Sequence, residues 1–126
     1  QSYNEIAITQ KDVRELQNAK AAIAAGIKVL SRKAGIRMGD ISKIYLAGGF
    51  GNYINIKSAL KIGLIPTELK EEKIESAGNT AGSGAILGLL SVKQLEETIK
   101  IKNMIKYIEL SASKEFVDEY VNSMFF

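Results

Sequence analysis

Twice in this chain an apolar strand pattern runs out into glycine and then directly into a helix pattern, and this pairing limits the folds open to it. Lys43-Ile44-Tyr45-Leu46-Ala47 suits the core of a sheet, and Gly48, Gly49 and Gly51 follow at once. Lys73-Ile74-Glu75-Ser76-Ala77 is the second strand, closed by Gly78. Asn79-Thr80-Ala81-Gly82-Ser83-Gly84-Ala85 then leads into an apolar helix from Ile86 to Leu90. Strands alternating with helices predict an α/β fold, a mainly parallel sheet with flanking helices. Ligands of such sheets lie beyond the carboxyl ends of the strands, where both glycine-rich passages fall. Two readings of the glycines stay open on the residues alone. They either permit tight turns and close helix packing, or they leave bare amides and positive helix ends facing one cleft.

The other elements follow from periodicity and caps. Ile6-Ala7-Ile8 reads as a short strand, and Thr9 with Asp12 three residues on makes a capping box that opens a long helix. Val13, Leu16, Ile23, Ile27, Leu30 and Ala34 lie on one stripe of it, expected to pack on the sheet. Ala19, Ala21, Ala22, Ala24 and Ala25 make its middle slim enough for close neighbours, and Gly35 ends it. Asn55 begins a short helix across Ile56 to Ile62, and Gly63 to Pro66 form a turn. Ser91 caps a helix reaching about Ile105, and Tyr107-Ile108-Glu109-Leu110 reads as a last short strand. Ser113 caps a final helix with Phe116, Val117, Tyr120 and Met124 on one face.

Composition removes several kinds of chemistry. The chain has no cysteine and no histidine, which excludes disulfides, thiolate metal sites, iron–sulfur ligation and histidine acid–base catalysis within these residues. A net charge of +3, with lysines interleaved among glutamates, gives no stripe for nucleic acid. No apolar run approaches the roughly 20 residues of a membrane span. Gly49-Phe50-Gly51-Asn52-Tyr53-Ile54 has isoleucine where a dinucleotide fingerprint needs its third glycine, and neither glycine passage continues into Gly-Lys-Ser/Thr. Asp12, Asp40 and Asp118 have the context of capping or solvated residues. Residues 1–126 are expected to form one domain cut from a longer cytoplasmic protein, since the chain opens mid-pattern and closes on Met124-Phe125-Phe126.

Four stretches carry a family resemblance: AITQKDVRELQNAKAAIAAGIKVL, IYLAGGFGNYINIKSALKIGLIP, SAGNTAGSGAILGLLS and YIELSASKEFVDEYVNSMFF. In order and over nearly the whole chain, they resemble the C-terminal domain of the reductive activators of corrinoid proteins and related ferredoxin-like proteins. That family belongs to the acetate and sugar kinase, heat-shock-cognate and actin superfamily, whose members hold ATP between two related subdomains. The resemblance implies that this chain is one such subdomain. It implies ATP with Mg²⁺ as the ligand of the whole protein, and a [2Fe-2S] cluster in a separate N-terminal domain. The implied activity is ATP-driven electron transfer that returns an inactive Co(II) corrinoid protein to Co(I).

By the same resemblance Gly48, Gly49 and Phe50, with Gly51 and Asn52 after them, form the adenosine motif. Gly82 and Ser83 match a connecting helix on which the two subdomains hinge, and the resemblance counts them with these five as nucleotide-binding residues. No catalytic residue and no metal ligand is expected in this chain, because the phosphate-gripping hairpins and their carboxylates belong upstream. The implied partners are the corrinoid protein and the rest of the same chain, without nucleic acid or membrane, and a homodimer is left open. The alternatives are a docking module for the corrinoid protein with little nucleotide affinity, or half of a small-molecule kinase.

Overall fold

The computed structural model describes residues 6–126, and for Phe50 the backbone alone. The element order is α1 (Gln10–Lys33), β1 (Ile44–Ala47), α2 (Gly48–Tyr53), α3 (Ile56–Lys61), β2 (Ile74–Gly78), α4 (Thr80–Leu90), α5 (Val92–Met104) and α6 (Lys114–Asn122). β1 and β2 pair in parallel as a two-stranded sheet, and the chain between them supplies the crossover that parallel pairing demands.

Every α-helix but α2, which opens from Ala47 without one, starts at a side-chain cap. Thr9 and Asp12 form the expected capping box, the Asp12 N–H donating to Thr9 Oγ1 at 3.3 Å and the Thr9 N–H to Asp12 Oδ2 at 2.8 Å. Asn55 accepts from the Ser58 N–H, Asn79 from Gly82, Ser91 from Gln94 and Ser113 from Phe116. Gly35, at φ 67°, follows the end of α1 as read from the sequence. A 3-10 turn precedes each strand, Met38–Asp40 before β1 and Glu71–Lys73 before β2. Lys73 ties these two turns together, its Nζ donating to Gly39 O at 3.0 Å and Ile41 O at 2.6 Å.

The packed core lies in the crossover. Ala59, Leu64, Ile65, Leu69 and Ile74 are buried together, with Ile27, Ile44, Leu46 and Ile54 closing around them. A large aliphatic side chain buried as fully as Ile65 or Leu69 contributes about 1.5–3 kcal/mol. α6 lies along α1, held by Glu119 to Lys28 (3.0 Å) and Arg32 (2.8 Å), by Glu115 to Arg32 (2.9 Å), and by Tyr120 Oη donating to Asn18 Oδ1 (3.2 Å). Asn18, Ala21, Ala25, Lys28 and Arg32 follow at spacings of three and four, so the small residues fall between the polar contacts on one face. This corrects the expected burial. Ala21, Ala24 and Ala25 are buried, with Val29, while Ala19 and Ala22 are exposed and Leu16, Ile23 and Leu30 of the branched stripe remain about two-fifths exposed.

Two expected strands do not form. Ile6, Ala7 and Ile8 are non-helical and exposed, and among the described residues no neighbouring strand receives their backbone groups. Tyr107–Leu110 is irregular because Glu109 collects local bonds, from the Tyr107 hydroxyl and from the Ser111 N–H at 2.9 Å and hydroxyl at 2.5 Å. Those donors, Ser111 first and then Tyr107, hold the Glu109 carboxyl down to about 2. The glycine passages also differ from expectation. Gly48–Tyr53 is itself helical, and α4 begins at Thr80 rather than after the glycines. No helix among the described residues is long and apolar enough to cross a membrane.

Candidate functional site

The two strands end side by side. Ile44, Tyr45 and Leu46 stand opposite Ile74, Glu75 and Ser76, and the register then shifts so that Ala47 faces Gly78. Gly48 follows with φ 81°, and Gly78 has φ 65°. Both are left-handed conformations that a side chain resists, so both strands terminate in the same backbone device and turn at once into a helix. The parallel ladder therefore delivers the two glycine-rich passages to one edge, as the sequence order required.

The glycines around this edge serve different needs. A Cβ at Gly48 or Gly78 would meet no atom within 4 Å, so conformation alone selects glycine there. Gly49 has neither a positive φ nor any neighbour within 4 Å of a Cβ, and it is exposed: it offers bare peptide to the outside. Gly51 is buried, and its Cβ would lie 2.9 Å from the Leu46 carbonyl carbon. Glycine at 51 lets α2 sit against β1. A Cβ at Gly82 would fall 2.7 Å from Asn79 Nδ2, because Asn79 folds over this turn to accept the Gly82 N–H at 3.0 Å. That bond occupies one amide of the α4 start, so the end is less bare than its sequence implied.

Asn52 is exposed, and its Oδ1 accepts from Ser76 Oγ at 3.3 Å; the same hydroxyl lies 3.5 Å from Gly51 O. Ser76 thereby fastens α2 to β2 and belongs to the site, although its sequence context is that of an ordinary strand residue. A hydroxyl two positions before a strand-ending glycine is the available signal. Ser83 is exposed in the first turn of α4, its N–H donating to Asn79 O at 3.0 Å. Phe50 lies in α2, with its side chain outside the described atoms. The structure thus brings Gly48, Gly49, Gly51 and Asn52 together with Ser76 and Gly78, and sets Gly82 and Ser83 on the helix leading away.

Neither passage, Gly48–Asn52 nor Gly78–Ser83, contains a titratable side chain. Among the described residues no cluster of three or more histidine, cysteine, aspartate or glutamate side chains could hold a metal ion. The edge offers peptide planes, amides, the carboxamides of Asn52 and Asn79 and the hydroxyls of Ser76 and Ser83. Such a surface can receive a flat or polar ligand closely, but it supplies no proton transfer.

Comparison with known proteins gives this edge its family. The model describing the C-terminal domain of RACo, the ASKHA domain, matches residues 1–126. The chain belongs to that family. This ASKHA domain is 44% identical over 122 residues to the corrinoid activation enzyme RamQ of Eubacterium limosum, covering 96% of the chain and 20% of that protein. It is 31% identical over 118 residues to the [Co(II) methylated amine-specific corrinoid protein] reductase of Methanosarcina barkeri, covering 92% and 22%. A solved reductive activator for corrinoid,iron-sulfur protein superposes with a TM-score of 0.82 at 39% identity, over 94% of this chain and 19% of that one. The ASKHA domain therefore spans about a fifth of the length of each of these relatives. The expected family and α/β class are thereby established.

Proposed function

We propose that this ASKHA domain forms the adenosine-side wall of an ATP site in a longer reductive activator, which returns the Co(II) of an inactive corrinoid protein to Co(I). One observation carries the reading: adjacent parallel strands end in left-handed Gly48 and Gly78, and between them Gly49 leaves its peptide uncovered. A purine and ribose need close backbone approach without a charged partner, and this edge has that chemistry. The names of the relatives, each an activator or reductase of corrinoid proteins, support the rest of the reading.

Within this reading the residues divide the work. Gly48 and Gly49 present backbone to the nucleotide, with Phe50 and Asn52 flanking it. Gly51, Gly82 and Ser76 hold α2 and α4 in position, and Ser83 lies at the start of the helix on which the domain moves against its neighbour. The carboxylates for Mg²⁺ and the cysteines for a [2Fe-2S] cluster come from elsewhere in the protein: the chain has no cysteine, and the two glycine passages carry no acid. The domain, cut from that longer cytoplasmic protein, works against the remainder of its own chain and a corrinoid protein. ATP titration of the intact protein tests this. Gly49→Val should lose ATP binding while keeping the wild-type unfolding profile. Wild-type ATP affinity in the well-folded variant would overturn the assignment, and intact protein that activates corrinoid without binding nucleotide would favour the docking module.

A further inference from the structure

Lys20 stands in the alanine-rich middle of α1 and is only 2% exposed. Its amine donates to Ile62 O at 2.9 Å, at the end of α3, and to Phe125 O in the segment after α6. It also lies 4.9 Å from the centroid of the Phe126 ring. These partners are 42 to 106 residues away in sequence, and each is a carbonyl or a ring rather than a carboxylate. A buried ammonium is costly unless its protons are used, and two carbonyls and a π face use all three. Gly63 makes room for it: at φ 73°, a Cβ there would stand 3.3 Å from Nζ.

This segment has little else to hold it. Phe125 is 74% exposed and Phe126 65%, so hydrophobic burial does not explain why they lie against α1 and α3. Beside Phe125 a cavity of about 200 Å³ is lined by Lys20, Lys28, Thr67, Asn122 and Ser123 with the small apolar Ala24 and Pro66, a mixed surface that offers an apolar segment little seat. Met124 is half-buried, and beyond it the amine is the contact that reaches both Phe125 and Phe126.

We propose that Lys20 is a latch that seats the segment following α6, Met124–Phe126, against the end of α3, so that docking of this segment and the order of Ser58–Gly63 depend on each other. Because α3 begins three residues after α2 ends, the latch also connects the segment to the helix bearing Gly49 and Gly51.

Residue-resolved hydrogen exchange on the intact protein tests the coupling. The probes are the amides of Ile62, Gly63 and Leu64, which donate to Ser58 O, Leu60 O and Ala59 O. Phe126→Ala removes a mostly exposed ring and leaves the core alone, yet it should speed exchange at all three amides about tenfold, and Phe126→Tyr should restore them. Lys20→Met should produce the same acceleration, and adding Phe126→Ala to it should add nothing. Acceleration confined to Ser123–Phe126, or additive effects in the double variant, would overturn the latch. If Lys20→Met fails to fold, the response of Ile62–Leu64 to Phe126→Ala decides alone.

Discussion

Gly51 is packed against the backbone of Leu46 so closely that a methyl group on it would stand 2.9 Å from the Leu46 carbonyl carbon. Two residues earlier Gly49 faces open space. A single glycine-rich passage thus contains one position fixed by packing and one free of it, and substitution can separate architecture from binding.

Gly51→Ala should destabilise the protein by about 1–3 kcal/mol, because backbone on the facing strand cannot yield as a flexible side chain could. Gly49→Ala should change stability by less than about 1 kcal/mol, an ordinary effect for an exposed short-helix position. Denaturant unfolding of the two variants measures the difference. Equal losses would mean that α2 is not held on β1 by this contact.

Gly48 is a third case, open in space but left-handed at φ 81°. Gly48→Ala should cost about 1–2 kcal/mol from conformation alone. Gly48→Asn should cost less, since asparagine tolerates this region better than other side chains. The order of the two melting temperatures checks the claim, and alanine equal to or better than asparagine would contradict it.

Much of this was legible in the sequence. The caps at Thr9, Asn55, Ser91 and Ser113 use short polar side chains whose reach is local, so spacing alone predicts them, whereas the Asn79 cap was hidden by the glycines that follow it. The strand ends at Ala47 and Gly78 and their parallel pairing followed from the alternation of elements. What sequence could not supply was tertiary choice. The stripe Leu16, Ile23, Leu30 looked like the buried face of α1, yet α6 selected the alanine row, because small residues let two helices approach and Lys28 and Arg32 met Glu119. Ile6–Ile8 has strand propensity, but propensity cannot create a pairing partner. Within the site, Gly48, Gly49 and Gly51 read alike as letters and differ only once φ and Leu46 are known.

The strand-end edge lacks the chemistry of hydrolysis. Cleaving a nucleoside triphosphate needs charge stabilisation at the γ-phosphate and a metal held by carboxylates. The two glycine passages carry no titratable side chain. The 126 residues alone should bind adenine nucleotides weakly or not at all and release no phosphate from ATP and Mg²⁺. A phosphate-release assay checks this, and turnover above a matched blank would place a complete site within the chain.

Glu119 gives a pH test of the α1–α6 contact. Burial pushes its carboxyl up, and the hydrogen bonds from Arg32 and then Lys28 more than reverse that, leaving it below the ordinary 4.5. A carboxyl depressed in the folded state lends stability that is fully present above its unfolded pKa. That stability is lost as pH falls from about 4.5 through the lower folded value. Arg32 is half exposed, so solvent screening limits the contribution to about 1 kcal/mol or less near neutral pH. Glu119→Gln should therefore melt lower than wild type at pH 7, leaving Lys28 without its anion while Arg32 keeps Glu115. As pH falls below 4.5 toward the lower folded value the wild-type advantage is lost, and once the carboxyl is neutral the two melting temperatures should converge. A gap that stays constant from pH 7 to pH 3 would show that Glu119 holds α6 to α1 by shape and not by charge.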